Sequence, residues 1–405
     1  MKQILLLFVV TITSTMSFDM FSNYRRTDLG NSIDIASMKL LKEIYDKSSE
    51  KNVVTSPLGV LTLLSLYASV SEGKNREEIM RLLGANDYKD KQNVEYWLSD
   101  SYERLSEHYS KMDPGFLSLA NKVLVSDRFT LNDTFAIKAG GYNTEVSSID
   151  FSERKGAADA INTWSSQKSI GKINNPVSES DIDPATVIAL LNVIFFQGHW
   201  FVPFNASETK EKEFNVDRST VVKVPMMHLE QSLYYLEDNN MGVRMIELPY
   251  QETKFRMIIV LPNDIDGLPE VLRKASEKGL HESIFEMYPV EEVHLDLPKF
   301  EIKSKINFKS ILQKVGVSSI FKNESTGIVK ESSVVVSEVL QEAFVKIDEE
   351  GATAGAFTGI FAVQPSALIE PPPHIIFKVD RPFMFVILHD DIVIFTGTYS
   401  GNNMK

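Results

Sequence analysis

The sequence predicts an α+β chain whose elements pack into one body. Three observations carry this. Helical periodicity dominates the first half, strand patterns crowd the second, and no linker rich in Gly, Ser or Pro divides them. A length of 405 residues would suggest two or three domains at about 150 residues each, yet neither a linker nor a repeat marks a boundary.

The chain begins Met-Lys-Gln, continues through an apolar run from Ile4 to Val10, and reaches small polar residues ending at Ser17. Residues 1–17 have the layout of a secretory signal cut after Ser17, so the expected product is a soluble extracellular chain starting at residue 18. Loss of Lys2 would take the formal charge from −13 to −14. Three acceptor triplets, at Asn132, Asn205 and Asn323, fit that route as glycosylation sites. From Pro57 to Gly73 a helix is expected after Ser56, an N-cap followed by Pro, and its apolar circumference predicts a buried central helix. Thr62, Ser65 and Ser69 interrupt this stretch, the richest after the leader, so no membrane span is expected. Ala157, Ala160, Ile161 and Trp164 share one face of a later helix that Gly171 can end. Phe255 to Pro262 reads as a strand covered on both faces. In the next, Val293, Leu295 and Leu297 alternate with His294 and Asp296. Val336 to Ile347 and Ile375 to Val379 are strand-like. Phe383 to Leu388, a polar turn at His389-Asp390-Asp391, and Ile392 to Gly397 read as a hairpin.

Gly351 to Pro373 resists this grammar. It is too long for an idle connection and too apolar for a typical disordered linker, with Glu370 its single charge. Ala352, Ala354, Ala356 and Thr358 are small and uncharged at every second position, which would let the segment enter a crowded sheet as a strand.

Composition excludes several classes. With 42 Lys+Arg against 55 Asp+Glu, the surface repels polyanions, so no nucleic-acid partner is expected. Zero Cys removes thiol nucleophiles, thiolate metal sites and disulfides. His108, His199, His228, His281, His294, His374 and His389 are scattered and form no zinc spacing; no GxSxG elbow, phosphate loop or calcium loop is present. The expectation is neither an enzyme nor a metal or cofactor protein. Acid pairs such as Glu349-Glu350 and Glu291-Glu292 read as solvated faces.

From about Ile33 to Gly397 the chain resembles the serpin family. The matching segments, in order, are NVVTSPLGV (52–60), LLNVIFFQGHWFVPF (190–204), VKVPMMH (222–228), LPKFEI (297–302), KIDEEG (346–351) and FKVDRPFMFVI (377–387). The resemblance implies a single domain of three β-sheets and eight or nine helices, with an exposed reactive-centre loop at about 351–373. It implies a monomeric protease inhibitor acting as a suicide substrate. The target protease cleaves the loop, is held as an acyl-enzyme, and is carried along as the loop enters the large sheet. Fifteen residues at ~3.3 Å each make roughly 50 Å of new strand.

Carried onto this chain, the hinge is Glu349, Glu350, Gly351, Ala352, Thr353, Ala354, Gly355 and Ala356. Thr353 stands where inhibitory relatives usually have Glu, and Phe357 where they have Ala. Ser56, Asn192 and Gln341 match a polar cluster that holds the large sheet shut; Gln341 replaces the usual His. Trp200 matches the Trp near the insertion point. Counting from the hinge puts the scissile bond at Pro365-Ser366, whereas counting back from Val379 moves it later, so the window is Gln364, Pro365, Ser366, Ala367, Leu368 and Ile369, with Leu368-Ile369 the rival. Gly351 to Phe377 contains no Lys or Arg. This disfavours a trypsin-like target and favours elastase-like or chymotrypsin-like serine proteases. Papain-like cysteine proteases are the alternative, as is a noninhibitory carrier or interaction protein, suggested by Thr353, Phe357 and Gln341. Pro371-Pro372-Pro373 reads as a stiff spacer. Asp90 to Lys111 offers no dense cationic stripe, so heparin is not an expected cofactor.

Overall fold

The structure is a computed structural model that describes residues 28–401 except 86–90, 175–176, 253, 323–326, 332–333 and 351–373. In chain order its main elements are α1 (Asp28–Lys47), β1 (Val53–Thr55), α2 (Pro57–Ser69), α3 (Gly73–Leu82), α4 (Lys91–Ser110), β2 (Leu117–Ser126), α5 (Asp133–Gly141), β3 (Thr144–Ile149), α6 (Arg154–Lys168) and β4 (Ile188–Phe196). Then come β5 (Lys210–Asn215), β6 (Val221–Asp238), β7 (Val243–Pro249), β8 (Phe255–Pro262), α7 (Leu268–Lys278), α8 (His281–Phe285), β9 (Tyr288–Pro298) and β10 (Phe300–Asn307). The last are α9 (Lys309–Lys314), β11 (Val336–Ile347), β12 (Ile375–Lys378), β13 (Phe383–His389) and β14 (Ile392–Tyr399).

The strands form two hydrogen-bonded units. One is five-stranded, in the order β10-β11-β4-β2-β3; the other runs β1-β14-β13-β8-β7-β6-β9-β12, with β5 also on β6. The third sheet expected from the resemblance is continuous with the second. Strand β6 causes this: it pairs with β5 and β9 over most of its length and with β7 through Tyr235–Asp238, so it belongs to both.

Two apolar layers cover the five-stranded sheet. Alternate residues such as Leu119, Leu190, Ile194 and Val345 face the main core, while Leu124, Leu191, Phe195 and Phe344 face α6. Helix α2 lies in the main core, with every residue from Pro57 to Ala68 buried. It is shorter than its apolar run suggests: Gly73, at φ 58°, opens α3 instead of closing α2. Ser56 precedes α2 in extended backbone but does not cap it through its side chain. In α6 the buried stripe is Ala157, Ala158, Ile161, Trp164 and Ser165; Ala160 is exposed, because a face of this width takes the i+1 neighbour rather than the i+3 one. Gly171, at φ 73°, donates its N–H to the Ser166 carbonyl at 2.8 Å and ends that helical run as expected. The late hairpin turns at Asp390, at φ 52°, a conformation Asp tolerates.

Candidate functional site: the sheet seam and the loop anchors

At the centre of the five-stranded sheet, β11 and β4 run parallel, from Val336 opposite Ile188, past a register shift, and in register from Glu338 opposite Ala189 to Val345 opposite Phe196. Their outer neighbours, β10 and β2, are antiparallel to them. Along the core face of β11 the row Val339, Gln341, Ala343, Val345 is apolar except at Gln341, which is fully buried. A buried amide demands partners for two donors and two acceptor sites, and Gln341 has all four. Its Nε2 donates to the Ser56 carbonyl at 2.6 Å and to Asn192 Oδ1 at 2.7 Å. Its Oε1 accepts from Thr55 Oγ1 at 2.6 Å and from the Ser56 N–H at 2.9 Å. Asn192 Nδ2 continues the chain to Asn121 Oδ1 at 2.8 Å and the Ala120 carbonyl at 3.2 Å.

The structure therefore brings Ser56, Asn192 and Gln341 together and adds Thr55 and Asn121. Ser56 takes part through its backbone, and its buried hydroxyl has no partner. Gly59 is what allows this closeness: a Cβ there would sit 2.3 Å from Asn192 Nδ2. Four elements, the β1–α2 junction, β11, β4 and β2, are thus tied across the seam. Asn121, a lone amide inside the apolar run LSLANKVLV, was the available sequence signal for the extra member.

On the opposite face of β11, Glu342 is buried, and its Oε2 has no hydrogen-bond partner. Burial, opposed by Lys303 and Lys305, pushes its carboxyl up to about 7. A raised carboxyl favours the folded state while neutral; that contribution is complete below the ordinary value of 4.5 and is lost as pH rises through about 7. A tenfold change in proton affinity is about 1.4 kcal/mol, and for a chain this long each kcal/mol moves Tm by about 1–2 °C. Glu342→Gln should then raise Tm by about 3–7 °C at pH 8 and leave it unchanged at pH 4. Thermal melts of both proteins at the two pH values decide; an equal difference at both rules out this origin.

The end of β11 is held beside the end of β4. Trp200 is buried and stacked on Tyr250, with ring centroids 4.5 Å apart. Its indole N–H donates to the Asp348 carbonyl at 2.8 Å, and its backbone N–H to the Glu350 carbonyl at 3.4 Å. The Phe204 N–H donates to the Glu349 carbonyl at 2.8 Å. Glu349 is not a solvated partner of Glu350: it is buried, paired with Lys299 at 2.6 Å and accepting from Thr209 at 2.8 Å. Burial pushes its carboxyl up, but Lys299 with the backbone and Thr209 outweigh that and hold it below the usual range. Glu350 is exposed. The chain is thus fixed up to the residue before Gly351.

Of the expected hinge, Gly351, Ala352, Thr353, Ala354, Gly355 and Ala356 lie outside the described residues, as do the window Gln364 to Ile369, the leader 1–17 and Asn323. Asn132 and Asn205 are described, and each folds its side chain back over a helical start. Asn132 Oδ1 accepts from the Thr134 N–H at 3.0 Å, and Asn205 Oδ1 from the Ser207 N–H at 3.1 Å. No helix of the described residues is long and apolar enough to cross a membrane.

A family model described as Serpin (serine protease inhibitor) matches residues 32–401. Antitrypsin of Bombyx mori is 30% identical over 402 residues, covering 98% of this chain and 100% of the relative. Antichymotrypsin-2 of the same species is 31% identical over 374 residues, covering 92% and 97%. Leukocyte elastase inhibitor of Xenopus laevis is 29% identical over 375 residues, covering 89% and 96%. Among solved structures, Serpin48 of the insect Tenebrio molitor, described as a highly specific serpin, aligns with a TM-score of 0.78 and 28% identity over 93% of this chain and 98% of its own. Human thyroxine-binding globulin aligns with a TM-score of 0.81 at 23% identity, over 93% and 99%, a likeness in fold alone.

Proposed function

The chain belongs to the serpin family, and from that premise we propose that it is a secreted suicide-substrate inhibitor of an elastase-like or chymotrypsin-like serine protease. One observation carries the reading: β11 and β4 are adjacent and parallel, and the loop leaves from the end where both stop. A segment that turns back after Glu350 runs antiparallel to both strands. Inserted between them, it replaces one parallel ladder by two antiparallel ones, the slightly more stable pairing per residue.

In the proposed reaction the protease serine oxygen attacks a carbonyl carbon between Gln364 and Ile369. An ester forms, the peptide bond breaks, and the leaving nitrogen takes a proton from the protease's general base as the new N-terminus. The tethered segment then enters the seam. The Gln341–Asn192 bond must break for it to do so, and the enzyme is displaced by roughly 50 Å at ~3.3 Å per residue. Trapping succeeds when insertion outruns hydrolysis of the ester.

The target class rests on the absence of Lys and Arg from Gly351 to Phe377, since a trypsin-like pocket needs a cation for its buried Asp. The names antichymotrypsin and leukocyte elastase inhibitor among the relatives point the same way, and the name antitrypsin points the other way. A noninhibitory reading draws on Thr353, Phe357 and Gln341. Secretion rests on residues 1–17, with Asn132, Asn205 and Asn323 as the glycosylation sites to examine by mass spectrometry.

Incubation with elastase, chymotrypsin, trypsin and papain tests the proposal. An adduct that survives denaturing electrophoresis should form with elastase or chymotrypsin and not with trypsin. The mass of the released C-terminal peptide should place cleavage between Gln364 and Ile369. Clean cleavage by every enzyme without an adduct overturns the inhibitory reading.

A further inference from the structure

Two of the histidines that look scattered in the sequence, His228 and His294, meet on one face of β6 and β9. In the antiparallel register Glu230 lies opposite His294, and His228 lies opposite Asp296. Glu292 shares that face by the period-two rule. His228 Nδ1 lies 2.9 Å from Asp296 Oδ1, and His294 Nε2 lies 2.9 Å from Glu292 Oε1. Each ring thus has its far nitrogen held by a carboxylate. The near nitrogens point inward at one oxygen: His228 Nε2 is 3.2 Å and His294 Nδ1 2.9 Å from Glu230 Oε1.

The geometry points to a divalent transition-metal site, of the zinc class, formed by His228 Nε2, His294 Nδ1 and the Glu230 carboxylate. In the neutral tautomers whose far nitrogens donate to Asp296 and Glu292, the two near nitrogens turn lone pairs toward the Glu230 carboxylate, and a cation between them satisfies all three. One ligand atom from each of His228, Glu230 and His294 lies within 4.8 Å of the others. Zinc–nitrogen bonds of about 2.0–2.1 Å set tetrahedral ligand atoms about 3.3 Å apart, so small side-chain adjustments suffice. Carboxylates behind ligating imidazoles fix the tautomer and ring orientation at such centres, and Asp296 and Glu292 already stand there. Three carboxylates surround the site; the neighbouring ammonium of Lys212 lies 2.7 Å from Asp296, away from the near nitrogens. His374 immediately precedes β12, and its ring centroid is 5.3 Å from that of His294. Strand β12 pairs with β9 from Ile375 opposite Val293. A metal held here would tie β6 to β9, beside the residue that follows the 351–373 segment.

Isothermal titration of the full chain with zinc chloride should show one ion bound per chain, with no saturable heat from magnesium chloride. His228→Ala and His294→Ala should each weaken zinc binding at least about tenfold, by loss of a direct ligand. Glu230→Gln, at an exposed position, carries the same test if either His variant fails to fold. Absence of a zinc isotherm, or one unchanged when both histidines are replaced, overturns the site.

Discussion

Gln341→Leu should lower the Tm of the intact protein by about 4–8 °C and hasten its conversion to a state without the proposed inhibitory activity. The change keeps the volume and removes four hydrogen bonds from a buried site. It strands the Ser56 carbonyl and N–H, Thr55 Oγ1 and Asn192 Oδ1, all buried. Each stranded group costs about 1–3 kcal/mol before relaxation. Partial relaxation brings the total to about 3–5 kcal/mol, the range of other broken buried networks. At about 1–2 °C per kcal/mol this gives the stated shift. A loss of this kind falls on the closed seam, since Gln341 bonds Asn192 across it. Ile258→Ala, in the fully buried strand β8 far along the other sheet, should cost a comparable 2–5 kcal/mol and leave the conversion rate unchanged. Melting curves and timed inhibition assays on the two variants separate a weak seam from a weak protein. Equal conversion rates would remove the seam from the control of insertion.

Much of this site was legible in the sequence, and the reasons for the rest are physical. Apolar periodicity placed α2, β8 and the late hairpin because burial repeats with the period of the element. Resemblance placed Gln341 beside Ser56 and Asn192. It did not show that Ser56 acts through its backbone while Thr55 supplies the hydroxyl, because that choice depends on the angle at which the chain turns into α2. Glu349 read as one of a solvated pair because local sequence does not show Lys299, fifty residues earlier, which meets it at 2.6 Å. The histidines read as scattered for the same reason: only the pairing of β6 with β9, and of β9 with β12, puts residues 228, 294 and 374 together. The third sheet was lost to the length of one strand, β6, which local pattern does not bound.

Ala354→Arg should turn the proposed inhibitor into a substrate. In a strand that turns back at Gly351, residues 352, 354 and 356 share one face. Between β11 and β4 either face is buried, against the main core on one side and α6 on the other. An unpaired guanidinium there would cost several kcal/mol on entering the sheet. If about 4 kcal/mol of that appears in the insertion barrier, the step slows roughly a thousandfold at 1.4 kcal/mol per tenfold. The cleavage window begins ten residues further on, at Gln364, so acylation should proceed at the parental rate while hydrolysis overtakes insertion. The measured result would be full cleavage with little adduct, together with loss of the heat stability gained by the cleaved parent. That gain should be about 10 °C if insertion contributes about 5–10 kcal/mol. Ala354→Ser supplies the internal control: it stays small and uncharged on the same face, so its adduct yield should remain near the parental one. If the serine and arginine variants act alike, burial of charge in the inserted strand is not what stops trapping. If Ala354→Arg traps protease as well as the parent, the segment does not enter the seam at all, and the parallel pairing of β11 with β4 is only a feature of the resting fold.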